Sequence, residues 1–255
     1  NHQKSNFKVA ENLYKKILRI DPHHFESTFY LAVLLLGANN FDGAKQLFQK
    51  TIQIQPNYAP AYNNLGIVFN ALKETQKAID FYRKAIQIQP NYAHAHNNLG
   101  MVFRESGEFE IAKSCFKMAI KIQPNYVAAH HNLGVVFQKM REHQKAISYF
   151  QKAIQIKFDL AVTHYNLGIV FTEIGEFEKA INSYQMAVKY ETKNLALFYY
   201  FSNLKKEILD SNLKKKIYEI IKESNPTKRN MAYGNYLLSR YELKGKNYKK
   251  EFKYL

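Results

Sequence analysis

The chain has 255 residues, 46% hydrophobic and 15% aromatic, with a single cysteine. That composition suits a folded protein, rules out an intrachain disulfide, and offers no apolar run near the ~20 residues of a bilayer span, the longest being Phe29 to Ala38. The net charge of +16 invites a nucleic-acid reading, which only the placement of the charges can decide.

In chain order, Phe7 to Ile20 reads as a helix already in mid-repeat. With Asn1 rather than Met in first place, the chain is expected to be a piece of a longer one, and targeting signals are unreadable. From residue 25 the sequence falls into register. Gly66, Gly100, Gly134 and Gly168 are 34 residues apart, as are Ala44, Ala78, Ala112, Ala146 and Ala180. Phe48, Tyr82, Phe116, Phe150 and Tyr184 keep the same step. So do Pro22, Pro56, Pro90 and Pro124; Phe158 and Thr192 then fill the slot before Pro226 rejoins it.

A period in this range marks a solenoid of stacked supersecondary units. Each unit holds two apolar-periodic stretches, such as 93–106 and 109–122. A short turn ("SGE", later "IGE") separates them, and a proline closes the second. The expected organisation is a partial repeat at 7–24, then full repeats at 25–58, 59–92, 93–126, 127–160 and 161–194. A degenerate repeat at 195–228 and a degenerate capping or adaptor segment at 229–255 follow. Cys115, inside a helical stretch, reads as a small core residue rather than a reactive thiol.

Four nearly identical heptapeptides, "NNLGIVF", "NNLGMVF", "HNLGVVF" and "YNLGIVF", place a glycine inside a helix, at a cost of about 1 kcal/mol against alanine. Packing must offset that cost. The glycine and the two alanine slots are small positions that let helices approach closely, with the aromatics filling the space opposite.

Leu-Gly, an aromatic three on, Ala nine further, an aromatic four on, then Ala and Pro: this spacing resembles the tetratricopeptide repeat over residues 25–194. The resemblance implies an all-α, right-handed α-solenoid of helix-turn-helix units. The usual Trp slot holds Thr28, Tyr62, His96, His130 and His164 instead.

The resemblance also implies that the first helix of each repeat lines the concave wall. Asn64, Asn98, Asn132 and Asn166 precede the glycines by two, turned about 200° from them, and so are expected to face the groove. An amide offers a donor and an acceptor together, as every peptide unit does. Such a ladder suits an extended polypeptide held by its backbone. Asn63, Asn97 and Tyr165 stand beside it, and Ile67, Met101, Val135 and Ile169 supply an apolar stripe. The ladder is similar to that of O-linked N-acetylglucosamine transferases, which "AHNNLG" at 95–100 resembles. Two other readings stay open: the asparagines bridge neighbouring helices, or they recur through recent duplication. Four net hydrogen bonds at ~0.5–1.5 kcal/mol each fall short of the ~8 kcal/mol of micromolar binding, so apolar contact must add to them. Phe29-Tyr30 and Tyr199-Tyr200 hold the ladder's slots at either end, as gates or as end packing.

Rival chemistries fare worse. His96, His130 and His164 share one slot, but helices ~8–10 Å apart do not bring three rungs to one ion with ligand distances of ~2.1 Å. No metal or cofactor is expected. Nucleic acid needs a cationic track, yet Arg104 and Lys139 in the groove face Glu105 and Glu173. Lys77, Lys84, Lys145, Lys152 and Lys179 fall on the second helices as a solvated face. From Leu195 on, however, 14 Lys/Arg stand against 6 Asp/Glu, which keeps an RNA-binding repeat as an alternative. No nucleophile elbow, phosphate loop or walled carboxylate pair is present, so the chain is not expected to be an enzyme.

The closing stretch, "NPTKRNMAYGNYLLSRYELKGKNYKKEFKYL", resembles the segment preceding the catalytic domain in bacterial sulfotransferases linked to tetratricopeptide repeats. That implies a substrate-presenting region of a larger transferase, with a glycosyltransferase as the lesser version. The partner expected throughout is a polypeptide in the groove, with no membrane, a cytoplasmic location and self-association through the solenoid ends as a further option.

Overall fold

The computed structural model describes residues 2–205, 211–222 and 227–244. Pro226, the turn expected after residue 244 and the helix expected up to Leu255 lie outside the described residues. Everything regular among the described residues is α-helix, in two compact units, Asn1–Val136 and Phe137–Leu255.

The first unit contains α1 (His2–Ile20), α2 (Phe25–Gly37), α3 (Phe41–Ile54), α4 (Ala59–Ala71), α5 (Thr75–Ile88), α6 (Ala93–Glu105), α7 (Phe109–Ile122) and most of α8 (Val127–Lys139). These are the expected hairpins, each first helix packed on its own second helix and on the one before. The α4–α5 turn shows how a hairpin closes. Lys73 takes φ 64°, its N–H donates to the Asn70 carbonyl (3.0 Å), and the Glu74 N–H reaches the Phe69 carbonyl (2.9 Å). This is a Schellman closure, which needs one left-handed residue. Asn39 and Gly107 occupy the same slot one repeat before and after, at φ 59° and 81°.

Small and large positions interlock as the spacing requires. Ala44, Ala78 and Ala112 are fully buried, as are Phe48 and Phe116, with Tyr82 nearly so. A β-carbon added at Gly66 would lie 2.5 Å from Cε1 of Tyr82. The glycine thus faces its own second helix, and the aromatic ring occupies the space its missing side chain leaves.

The Trp-slot residues have a role that the sequence did not disclose. Tyr62 Oη donates to the Pro56 carbonyl at 3.0 Å, His96 Nε2 to that of Pro90 at 2.9 Å, and His130 Nε2 to that of Pro124 at 2.8 Å. Each ring ties down the loop that enters its repeat. Among the described residues no cluster could hold a metal ion.

The second unit holds α9 (His143–Ile156), α10 (Ala161–Glu173), α11 (Phe177–Tyr190), α12 (Leu195–Lys205), α13 (Ser211–Ile221) and α14 (Lys228–Lys244). Gly168 repeats the glycine contact, its added β-carbon falling 2.7 Å from Cε1 of Tyr184, and His164 Nε2 bonds the Phe158 carbonyl at 2.8 Å. Lys145 and Lys179 lie over Phe137 and Phe171 and pair with Glu142 and Glu176. They are exposed, so each pair contributes at most ~1 kcal/mol. Past residue 194 the repeat signature fades, but Leu195, Phe198, Ile217, Ile220, Leu237 and Leu238 still form one buried cluster from three helices. Gly234 serves there as the small position, against Ile221 and Leu195. Asn230 fastens the entry to α12, accepting from the Leu195 N–H (3.1 Å) and donating to the Lys193 carbonyl (3.0 Å).

Candidate functional site

With the glycine of each first helix turned toward its own second helix, the residues two and three before it are set toward the neighbouring first helices. In the first unit the amides there form one connected chain. Asn132 Nδ2 donates to Asn97 Oδ1 at 3.0 Å, and Asn98 Nδ2 donates to Asn63 Oδ1 at 3.0 Å. Longer links of 3.4 Å run from Asn97 Nδ2 to Asn98 Oδ1 and from Asn63 Nδ2 to Asn64 Oδ1. Asn97 Nδ2 also lies 3.7 Å from Met101 Sδ.

At the head of the chain, Arg104 donates from one terminal nitrogen to Asn132 Oδ1 at 2.8 Å, while the other lies 3.7 Å from Glu105. A guanidinium can only donate. It therefore fixes which way Asn132 faces, and each amide in turn fixes the next. Arg104 reads in the sequence as a groove cation; in the structure it is the start of this chain.

Burial divides the expected site residues. Asn63, Asn97 and Asn132 are buried, their amides spent largely between helices, while Asn64, Asn98, Ile67, Met101 and Val135 are half-buried. An amide keeps a second donor hydrogen and a second lone pair after one bond of each kind, so Asn98 is not saturated. The bonds between Asn98 and Asn63 and between Asn132 and Asn97 correspond to the bridging role left open in the sequence. His131, in the slot of Asn63 and Asn97, is held neutral: burial, with Arg104 nearby, lowers its pKa to about 4.

In the second unit, Asn166, Ile169 and Tyr165 are half-buried on α10. Phenols replace amides here. Tyr200 shares side-chain hydrogen bonds with Tyr165 and Tyr233, bonds that, with burial, raise its pKa. Tyr199 packs edge-on to Tyr200 (5.2 Å between centroids) and Tyr236 (5.1 Å), so the Tyr199-Tyr200 pair is embedded in ring packing. Tyr200 lies 35 residues after Tyr165, the same step as Asn98 after Asn63 and Asn132 after Asn97. That step was the available signal for the whole arrangement. No described helix is long and apolar enough to cross a membrane.

Stacked helical hairpins of constant length, with a polar row along their first helices, define an α-solenoid repeat protein. The sequence matches the tetratricopeptide repeat family over residues 2–66, 58–125, 91–159 and 125–190, and the chain belongs to that family. No curated protein matches it in sequence. Among solved structures it is similar to the Pseudomonas aeruginosa protein PilF, at 20% identity and a TM-score of 0.68, covering 96% of this chain and 97% of that one. It is similar to MamA at 28% identity and a TM-score of 0.54, over 61% and 91% of the two chains. It also resembles YrrB, a repeat protein described as having an unusual peptide-binding site, at 19% identity and a TM-score of 0.57, over 76% and 98%. These structures share the repeat fold, and the described residues hold that fold and no catalytic domain.

Proposed function

We propose that the chain is a protein-interaction scaffold that takes an extended polypeptide along its first helices, largely through the peptide backbone. The observation that carries this reading is the row of half-buried amides and apolar side chains in the first unit, Asn64, Ile67, Asn98 and Met101; in the second unit Asn166 and Ile169 on α10 are half-buried likewise. Such a row offers peptide-like hydrogen bonding with little charge, and so suits a main chain better than a particular side chain. The peptide-binding site of the structurally similar YrrB supports the reading by analogy. The resemblance of the closing residues to transferase-linked repeats extends it to presentation of a substrate to a neighbouring catalytic domain. Sequencing the gene past Leu255 tests that extension.

To test the central reading, dodecapeptides would be selected from a random phage library on the full chain and synthesised with and without backbone N-methylation. Methylation at alternate residues is expected to weaken binding at least tenfold, while alanine replacement of most side chains changes it little. Affinity indifferent to N-methylation overturns backbone recognition. Selection that fails on peptides, with tight, salt-dependent capture of single-stranded RNA, overturns the scaffold reading itself.

A further inference from the structure

We propose that Asn64 is the anchoring donor of the first unit's peptide face, offering its amide N–H groups to a carbonyl or carboxylate oxygen of the ligand. Arg104, at the opposite end of the amide chain, is its positioning residue. The inference rests on the peptide-binding reading above and names the atom that carries it.

Bonds between repeats follow one rule: Asn98 donates to the residue 35 before it, and so does Asn132. Applied to Asn64, the rule points to Phe29, a buried ring packed against Phe48 and Tyr58. Phenylalanine has no acceptor. Asn64 Nδ2 accordingly finds no protein acceptor among the described residues, and it is the amide of the first-unit chain where donation stops.

Orientation follows from chemistry. Arg104 turns the oxygen of Asn132 toward itself and leaves that amide's NH2 for Asn97. The same constraint passes through Asn98 and Asn63, so Asn64 turns its oxygen inward and its NH2 outward. An amide that accepts a hydrogen bond becomes a better donor, and this chain begins at a full positive charge. Asn64 is therefore a polarised donor, half-buried, where a bound oxygen is shielded from water. Exposed Tyr30 lies one repeat earlier in the same slot, and half-buried Ile67 one turn later. Both supply apolar contact around the polar bond.

The test uses the full chain and the synthesised dodecapeptides selected on it, titrated calorimetrically. Asn64→Ala and the acceptor-only Asn64→Asp are each expected to raise Kd about 3- to 10-fold, the worth of a lost hydrogen bond, with the melting temperature unchanged for Asn64→Asp, which keeps the acceptor for Asn63. Arg104→Met is expected to give a smaller rise and to move the Asn64 side-chain N–H proton resonances upfield, with Arg104→Lys restoring both. Neutralising the peptide's acids separates the oxygen sources: retained sensitivity to Asn64→Ala assigns a carbonyl, and lost sensitivity a carboxylate. Selected peptides that bind Asn64→Ala and Asn64→Asp within twofold of the parent overturn the inference while leaving the scaffold reading intact. Failure to select any peptide overturns both.

Discussion

A β-carbon added at Gly100 would lie 2.8 Å from Cε1 of Phe116, a ring with no exposed surface. The phenyl group cannot retreat without disturbing the packing of α7. Gly100→Ala should therefore lose about 1–3 kcal/mol by overpacking, although alanine is the better helix former by about 1 kcal/mol. Gly37, with nothing within 4 Å of an added β-carbon, is the control. Gly37→Ala should hold or raise stability in the same urea titration. Equal effects at the two sites would mean that the interior glycine is not kept by the ring.

His131 makes stability sensitive to mild acid. Its folded pKa is lowered to about 4 by burial, with Arg104 adding repulsion, against ~6.5 in the unfolded chain. Below pH 6.5 the unfolded state takes up a proton that the folded state refuses, so stability is full above that pH and falls toward pH 4. Between pH 7.5 and 5, before most carboxylates titrate, the loss should be about 2 kcal/mol. His131→Asn, which puts at this slot the residue found at Asn63 and Asn97, should flatten that slope. An unchanged slope would place the titrating group elsewhere.

The hairpins were readable because their marks are chemically distinct and repeat: a glycine, an aromatic sixteen residues on, two alanines and a proline leave one way to pack. Side-chain bonding between repeats was not. An asparagine carries no sign of whether its amide faces a ligand or the next helix, and Arg104, which orients the row, has Asn70 and Gln138 in its slot in the adjoining repeats. The loop-bracing role of His96 and His130 was hidden for a similar reason, since their acceptor is a main-chain carbonyl. Beyond residue 194, Gly234 and Asn230 do their work outside the 34-residue register, so periodicity could not find them.

Cys115 should be inert in the native chain. Burial pushes its thiol pKa up to about 11, with Arg83 offsetting this only in part, and only the thiolate attacks disulfides. At pH 8 the native cysteine should react with Ellman's reagent about 100-fold more slowly than in the urea-unfolded chain, in line with the lower thiolate fraction. Native labelling as fast as unfolded would show the second helix α7 opening far more readily than its buried Ala112 and Phe116 suggest.

Lys73 and Gly107 hold the same left-handed slot in successive repeats, at φ 64° and 81°, yet only one of them is suited to it. A residue with a β-carbon gives up about 1–2 kcal/mol in that conformation, while glycine is destabilised by up to ~1 kcal/mol through the freedom it has when unfolded. The balance favours glycine by roughly 0.5–1 kcal/mol. Lys73 is exposed and its side chain anchors nothing among the described residues, so no contact is lost on replacing it. Lys73→Gly should accordingly raise stability by that amount, and Gly107→Ala should lower it by a similar amount, both read from urea midpoints at constant slope. The two changes test one cause with opposite signs. If both lowered stability, the turn would be held by its side chains rather than by backbone strain; if both were neutral, the Schellman closure would contribute little to the hairpin.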